Sequence, residues 1–281
     1  MLIAPTGDKW MRLRISPTSC AFEGSSTLTQ KTMDRARISF IVKSKFRKAT
    51  KGRFLGYLWL VLDPLIISLI YLFVFTVVRS NPSASSILLG VTMYRVFQSS
   101  LLKGLACVKE LNGGFRSERI STQVVIKAEL THRLVDVFLQ TILITIIMVF
   151  AFGTSSFAGF LFILLAQIMG ILFFGFGVLL SPYTNLIPDL KNVVEYVLRL
   201  GFYASPAMYP MARMEGLHYQ VNLFNPFAYF VEFGRYLADI ESTFTELEIW
   251  AFTLLIGALI IVTLIGFRRI DNLRWRMTTW S

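Results

Sequence analysis

Apolar runs of about twenty residues are the feature that most constrains what this 281-residue chain can fold into. At 1.5 Å per residue, an α-helix of that length crosses the ~30 Å hydrocarbon core of a bilayer. Four runs hold at most one charge each, and two weaker segments are mostly apolar but hold two or three. The sequence therefore predicts an all-α membrane protein with six transmembrane helices. The predicted spans are residues 58–78, 86–108, 134–152, 157–180, about 190–209 and about 249–267.

The composition agrees with a membrane protein and argues against several other classes. Hydrophobic residues make up 54% of the chain and charged residues 16%, whereas soluble domains average about 25% charged residues. Two cysteines and two histidines are too few for a disulfide framework or a histidine-based metal centre. No phosphate-binding G-x-x-x-x-G-K-[ST] loop, H-E-x-x-H or G-x-S-x-G motif occurs. We therefore predict that the chain is not an enzyme and binds no cofactor of its own.

The distribution of basic residues predicts the topology. Residues 1–57 contain 12 Lys or Arg against 3 acids, and basic residues recur between spans two and three and after span six. Lys and Arg accumulate on the cytoplasmic side of membrane proteins, so both termini are expected in the cytoplasm, with the chain multi-pass in the cytoplasmic (inner) membrane. This reading favours membrane lipid over nucleic acid as the partner of the basic block. The predicted domains are a cytoplasmic tail, 1–57, and a transmembrane domain, 58–281.

Part of the basic tail has the pattern of an amphipathic helix. Between residues 31 and 49, apolar side chains recur at helical spacing with Lys and Arg between them. The apolar positions are Ile38, Ile41, Val42, Phe46 and Ala49. The pattern predicts an interfacial helix lying on anionic lipid. The alternative is a helix whose apolar face docks on protein.

The segment after the fifth span is interrupted by Pro and Gly but rich in aromatic residues. Within the fifth span, Glu195 precedes Arg199 by four residues, which favours an ion pair. Residues 205–237 are too broken to span, and we predict short re-entrant helices that narrow the external mouth of a channel. A loop anchored at the outer interface by its rings is the alternative. The predicted external gate residues are Tyr209, Phe224, Asn225, Pro226 and Tyr229.

Three segments resemble the membrane subunits of type-2 ABC exporters, closest to those that export lipid-linked polysaccharides such as O-antigen, capsule or teichoic acid. They are residues 51–75, 181–210 and 225–237, and the resemblance extends over about residues 35–270. The matching positions are Leu55, Gly56, Trp59, Asp63, Pro64, Asp189, Ser205, Pro206, Tyr209, Pro210, Asn225, Pro226 and Arg235. One departure is the loop between spans two and three, where the family has a Phe-Pro pair that residues 113–130 lack.

The resemblance implies a half-transporter. Two copies of this chain, a homodimer, would form a channel for polysaccharide or its lipid-linked form. Two copies of a separate ATP-binding cassette subunit would dock beneath it and bind ATP and Mg. The alternatives are a type-2 ABC exporter of drugs or other lipids, and a membrane-embedded enzyme of envelope glycan assembly.

The resemblance also suggests roles for particular side chains. Spans one and five would line the channel, and the loop between spans two and three would contact the ATPase. The predicted transport-path residues are Ser68, Tyr71, Phe75, Tyr196, Arg199 and Tyr203. The predicted ATPase-coupling residues are Arg116, Glu118, Arg119 and Asp189. The plainer alternatives are helix packing for the aromatic residues and simple solvation for the charged loop.

Overall fold

The computed structural model describes residues 23–50, 84–107, 122–187, 189–240 and 246–277, together with individual positions between 58 and 73. All regular elements in these parts of the chain are helical, which confirms the all-α prediction. The α-helices are α1 (Glu23–Thr50), α2 (Ala84–Leu105), α3 (Thr122–Phe152), α4 (Ser156–Leu180), α5 (Tyr183–Leu186), α6 (Leu190–Ala204), α7 (Gly216–Leu223), α8 (Pro226–Leu237) and α9 (Glu246–Met277).

The chain divides into two compact units, residues 1–37 and 38–281. In the first unit the described residues are helical, and Asp34 forms an ion pair with Arg37 one turn later at 3.6 Å. The second unit contains the helical bundle and the candidate site.

Among the described residues, three helices are long and apolar enough to cross a membrane: Thr122–Phe152, Ser156–Leu180 and Glu248–Arg269. They correspond to the third, fourth and sixth predicted spans. Helix α3 begins twelve residues before the predicted start of its span. Several polar residues that precede the apolar run, among them Glu129, His132 and Arg133, are buried in the bundle. Helix α9 likewise continues through the basic residues after the sixth predicted span, as far as Met277.

Helices α3 and α4 form a tight hairpin. Gly153 adopts a φ of +69°, a left-handed conformation that glycine accommodates without strain. The side chain of Ser155 then caps α4 by accepting a hydrogen bond from the backbone N–H of Ala158 at 3.1 Å. The two signals lie within the uncharged turn that the sequence places between the third and fourth spans.

Helix α2 is enclosed by its neighbours, with 14 of its 22 residues buried. It packs closely on α4, where glycines from both helices meet. A Cβ atom on Gly104 would lie 2.2 Å from the carbonyl oxygen of Phe174, and one on Gly177 would lie 2.3 Å from that of Leu101. Small residues let helix backbones approach in this way when lipid supplies no hydrophobic driving force between helices.

Helix α9 packs on the other side of α4 in a similar way. A Cβ on Gly175 would lie 2.2 Å from a methyl carbon of Thr263, and the Thr263 hydroxyl donates a hydrogen bond to the carbonyl oxygen of Leu172 at 3.2 Å. Small residues and an interhelical hydrogen bond therefore join α9 to the bundle.

The apolar stripe of α1 faces protein where its side chains are described. Ile41 is buried against Val124 and Ala128 of α3, with Ile38 and Val42 packed beside it. This contact is the docking alternative that the sequence left open, rather than the lipid contact that the pattern favoured. Periodicity defines an apolar face, but it does not distinguish a protein surface from a lipid surface as the partner.

Candidate functional site

Helix α6 presents one packed face and one exposed face. On the packed face, Leu198 and Phe202 are buried, the hydroxyl of Tyr94 on α2 donates to the carbonyl of Leu198, and the rings of Tyr94 and Phe202 meet edge to face at 5.0 Å. The opposite face is apolar and aromatic but uncovered. Its exposed side chains are Val193, Tyr196, Val197, Leu200 and Tyr203.

The predicted transport-path residues of α6 lie on this uncovered face. Tyr196 is 65% exposed and Tyr203 is 61% exposed. Arg199 forms the ion pair expected from its spacing, with its Nη2 atom 2.7 Å from Oε1 of Glu195, and its guanidinium carbon lies 5.5 Å from the centre of the Tyr196 ring. The face therefore offers aromatic surfaces beside a self-neutralised polar pair.

Several predicted site residues lie outside the described residues. These are Ser68, Tyr71, Phe75, Arg116, Glu118 and Arg119. The remaining coupling residue, Asp189, is exposed immediately before α6, where its carbonyl accepts a hydrogen bond from the N–H of Val193 at 3.0 Å. Its side chain makes no capping hydrogen bond to the helix. The roles assigned to all of these residues stay predictions.

The chain after α6 forms a broken segment, residues 205–225, followed by α8. The segment contains a 3₁₀ turn at Met211–Arg213 and the short helix α7. Asn225 and Pro226 stand at the junction between α7 and α8. The Asn225 side chain accepts a hydrogen bond from the N–H of Phe227 at 3.1 Å, and Pro226 takes the first helical position, where its missing N–H is not needed.

A buried ion pair fixes the broken segment to the bundle. Arg235 of α8 is fully buried, and its Nη1 atom lies 2.7 Å from Oε1 of Glu232 one turn earlier. Its Nε donates to the hydroxyl of Ser86 on α2 at 2.8 Å. The same oxygen of Glu232 accepts a hydrogen bond from the backbone N–H of Met211 at 2.9 Å. We call these contacts the Arg235 clamp, because they join α8, α2 and the broken segment.

The backbone of the broken segment also lies directly against α2. A Cβ on Gly90 would lie 1.9 Å from the carbonyl oxygen of Ala207, so only glycine leaves room there. Ser205, Ala207 and Met208 are buried. Non-helical backbone at this depth of a bundle is tolerated where protein satisfies and shields it.

Helix α7 is held by polar contacts to the end of α6. The carbonyl oxygen of Ala204, the last residue of α6, accepts a hydrogen bond from the buried side chain of Asn222 at 2.8 Å and lies 2.8 Å from Nε2 of His218. Beyond these contacts, α7 carries an uncovered apolar stripe at i, i+4 and i+7. Its residues are Leu217, Val221 and Phe224, the last of which is 89% exposed.

The structure distributes the predicted gate residues between two roles. The hydroxyls of Tyr209 and Tyr229 donate to the backbone carbonyls of Tyr203 at 3.1 Å and Leu223 at 2.8 Å, so both rings brace the segment. Phe224 instead projects outward with the apolar stripe. Sequence reasoning missed Glu232 and Ser86, and the detectable signal was an acid–base pair at i, i+3 within an otherwise apolar helix.

Known proteins match the part of the chain that contains α6, the broken segment and α8. A sequence model described as the ABC-2 type transporter membrane family matches residues 36–238. The O-antigen export system permease protein RfbA of Myxococcus xanthus is 25% identical over 64% of this chain and 71% of its own length. The protein of the same name from Klebsiella pneumoniae is 26% identical over 80% of this chain and 87% of its own length. The polysialic acid transport protein KpsM of Escherichia coli is 25% identical over 69% of this chain and 79% of its own length.

Proposed function

The chain belongs to the ABC-2 type transporter family of membrane proteins, and we propose that it is the channel-forming permease subunit of an ATP-driven polysaccharide exporter. The observation that carries this proposal is the agreement among its relatives. Two are named for O-antigen export and one for polysialic acid transport, and each aligns with 64–80% of this chain. The proposed cargo is therefore a polysaccharide or its lipid-linked form, moved across the cytoplasmic membrane.

The uncovered face of α6 supports a channel role. Sugars present C–H faces that stack on aromatic rings and hydroxyls that hydrogen-bond to polar groups. Tyr196 and Tyr203 would supply both kinds of contact along a path between two copies of the chain. The Glu195–Arg199 pair neutralises its own charge, so it adds hydrogen-bonding capacity without a net field.

The packing of α2 supports the six-span topology. At 22 residues, α2 is about 33 Å long, enough to cross the hydrocarbon core. Its polar residues lower its hydropathy, but neighbouring helices rather than lipid surround it, and polar groups in membrane helices face the bundle interior.

Helix α6 is about 22 Å long and completes a crossing only together with the broken segment. This segment packs near the start of α2, the end that the topology places outside, where α7 and α8 would be re-entrant.

A separate ATP-binding cassette subunit would provide the driving energy, with ATP and Mg bound to that partner. In this arrangement two permease copies and two ATPase copies form the exporter. The basic tail that precedes the first span would lie on the cytoplasmic side of the membrane. The loop with Arg116, Glu118 and Arg119, together with Asp189, would contact the ATPase.

Deleting the gene for this chain from its host should trap a lipid-linked glycan inside the cell. The exporter acts after glycan synthesis, so the glycan should still form but fail to reach the surface. Quantifying carrier-linked glycan in spheroplasts and surface glycan on intact cells checks this. Loss of glycan synthesis would favour the membrane-enzyme alternative. Unchanged amounts of carrier-linked and surface glycan, together with altered drug resistance or lipid composition of the cells, would favour an exporter of drugs or other lipids.

Reporter fusions should reproduce the predicted topology. Fusions after residues 83, 155 and 240 should have external activity, and a fusion at the C-terminus should have internal activity. The physical reason is the excess of basic residues near both ends of the chain, which holds these ends in the cytoplasm. An external C-terminus would contradict the six-span arrangement.

A further inference from the structure

A cluster of buried ionisable residues lies at the opposite end of α2 from the Arg235 clamp. Four side chains of α3 fall on one face of the helix, at i, i+3, i+4 and i+7, and each is at most 8% exposed. They are Glu129, His132, Arg133 and Asp136. Ionisable groups are costly to bury within a membrane protein, so such a cluster is retained where its contacts serve a purpose.

Arg133 joins this cluster to α2. Its guanidinium donates to the hydroxyls of Ser99 and Ser100, the latter at 3.0 Å, and to the carbonyl oxygen of Val96 at 3.3 Å. Two helices that are separated in sequence by the loop between spans two and three are thereby fixed to each other. Ser100 lies five residues before the end of α2.

Glu129 joins the same cluster to α1. One oxygen of its carboxylate pairs with the ammonium group of Lys45, while the other, Oε1, has no hydrogen-bond partner among the described residues. Glu129 is 1% exposed. A carboxylate enclosed to this degree depends on its counter-charge, because an unpaired buried charge is strongly destabilising.

Apolar contacts flank the ion pair on both sides. One turn before Lys45, Ile41 is buried against Val124 and Ala128, and next to Lys45 the ring of Phe46 lies 4.5 Å from that of His132. The contacts therefore hold this part of α1 at one position along α3. The ion pair adds to this, because a shift of α1 along α3 would leave the buried carboxylate of Glu129 without its counter-charge.

We propose that Glu129 is a positioning residue for energy coupling, which acts by latching α1 through Lys45 onto the adjoining ends of α2 and α3. The inference rests on the proposed function, in which a separate ATPase drives transport. The latch lies beside both ends of the loop that would contact the ATPase: Glu129 is seven residues after the start of α3. A movement imposed on α1 or on this loop is then passed to the two helices as one body.

The experiment uses the permease assembled with its ATPase in proteoliposomes. The variants are Lys45→Glu, Glu129→Gln, and the exchange that combines Lys45→Glu with Glu129→Lys. Lys43→Glu is the matched control, because Lys43 is an exposed cation on the same helix two residues away. Thermal melting, ATP hydrolysis and glycan transport are measured for each. The quantity that tests the latch is transport per ATP hydrolysed, which a change in the amount of folded protein does not alter.

Lys45→Glu should lower transport per ATP by about tenfold or more, because two carboxylates then face each other in a buried site. The exchange variant should recover most of this loss, and Lys43→Glu should stay within about twofold of the parent. Glu129→Gln keeps the side-chain volume, so it should fold normally and still lose about fivefold in coupling. Parental coupling in both Lys45→Glu and Glu129→Gln would overturn the proposal. A loss of transport that merely parallels the loss of folded protein would do the same.

The outcomes separate the latch from the proposed cargo. If the parent complex moves no glycan, the cargo proposal fails, and the latch is still tested by how far the permease stimulates ATP hydrolysis. In that case Lys45→Glu should abolish most of the stimulation and the exchange should restore it. If the parent exports glycan and all variants couple normally, the latch fails while the function stands.

Discussion

Replacing Arg235 with methionine should prevent most of the protein from folding into the stable bundle. The substitution removes the guanidinium but leaves Glu232 buried, with its Oε2 atom already lacking a hydrogen-bond partner among the described residues. Removing one partner of a buried ion pair costs about 3–5 kcal/mol. We therefore expect a large fall in the yield of monodisperse protein and in its melting temperature, measured by fluorescence-detected size-exclusion chromatography with a temperature series.

Two companion variants make the clamp prediction specific. Arg268→Met is the matched control, because Arg268 is exposed on α9, and it should leave the melting temperature nearly unchanged. Combining Arg235→Met with Glu232→Leu removes both charges and should recover part of the stability, since a buried pair replaced by apolar side chains is often neutral. A stable Arg235→Met protein with intact export would show that the clamp does not hold the broken segment.

Introducing a single methyl group at Gly104 should separate α2 from α4. In Gly104→Ala the new Cβ would lie 2.2 Å from the carbonyl oxygen of Phe174, and this neighbour is backbone, which cannot rotate away. Overpacking of this kind costs about 1–3 kcal/mol, and occasionally more, because the two helices must move apart. The melting temperature of the purified protein should fall accordingly, together with export.

The matched control for this prediction is Gly257→Ala in α9. A Cβ at that position meets no atom within 4 Å. Alanine is favoured over glycine in a helix interior by about 0.5–1 kcal/mol, so the control should be neutral or slightly stabilising. If both substitutions changed the melting temperature and export alike, the close contact between α2 and α4 would not be important for the stability of this protein.

The three described helices that are long and apolar enough to cross a membrane were predictable from the sequence. Helix α4 and the apolar part of α3 have long uncharged stretches, and their hairpin turn carries its own local signals at Gly153 and Ser155. In each case the information is local, because span length and capping depend on residues within a few turns of one another. The Glu195–Arg199 pair was predictable for the same reason, since its partners are neighbours on one helix.

The candidate site was only partly predictable. The position of Asn225 and Pro226 between two short helices follows from the capping preferences of these two residues. The division of the aromatic residues did not follow from sequence: Tyr209 and Tyr229 brace the backbone, while Phe224 is left uncovered. Aromatic side chains suit all of these environments, and the sequence carries no signal that separates them.

The sequence by itself determined that the described residues are helical, where three helices long and apolar enough to cross a membrane lie, and on which face of α1 the apolar residues fall. Only the tertiary structure decided that this face packs on α3, and that Ser86, Glu232 and Arg235 meet. Ser86 and Arg235 are 149 residues apart in the sequence, and a helical pattern relates only residues within a few turns of each other. The physical reason is range: hydropathy and helix periodicity act over a few turns, whereas a buried charge finds its partner only when distant helices pack together.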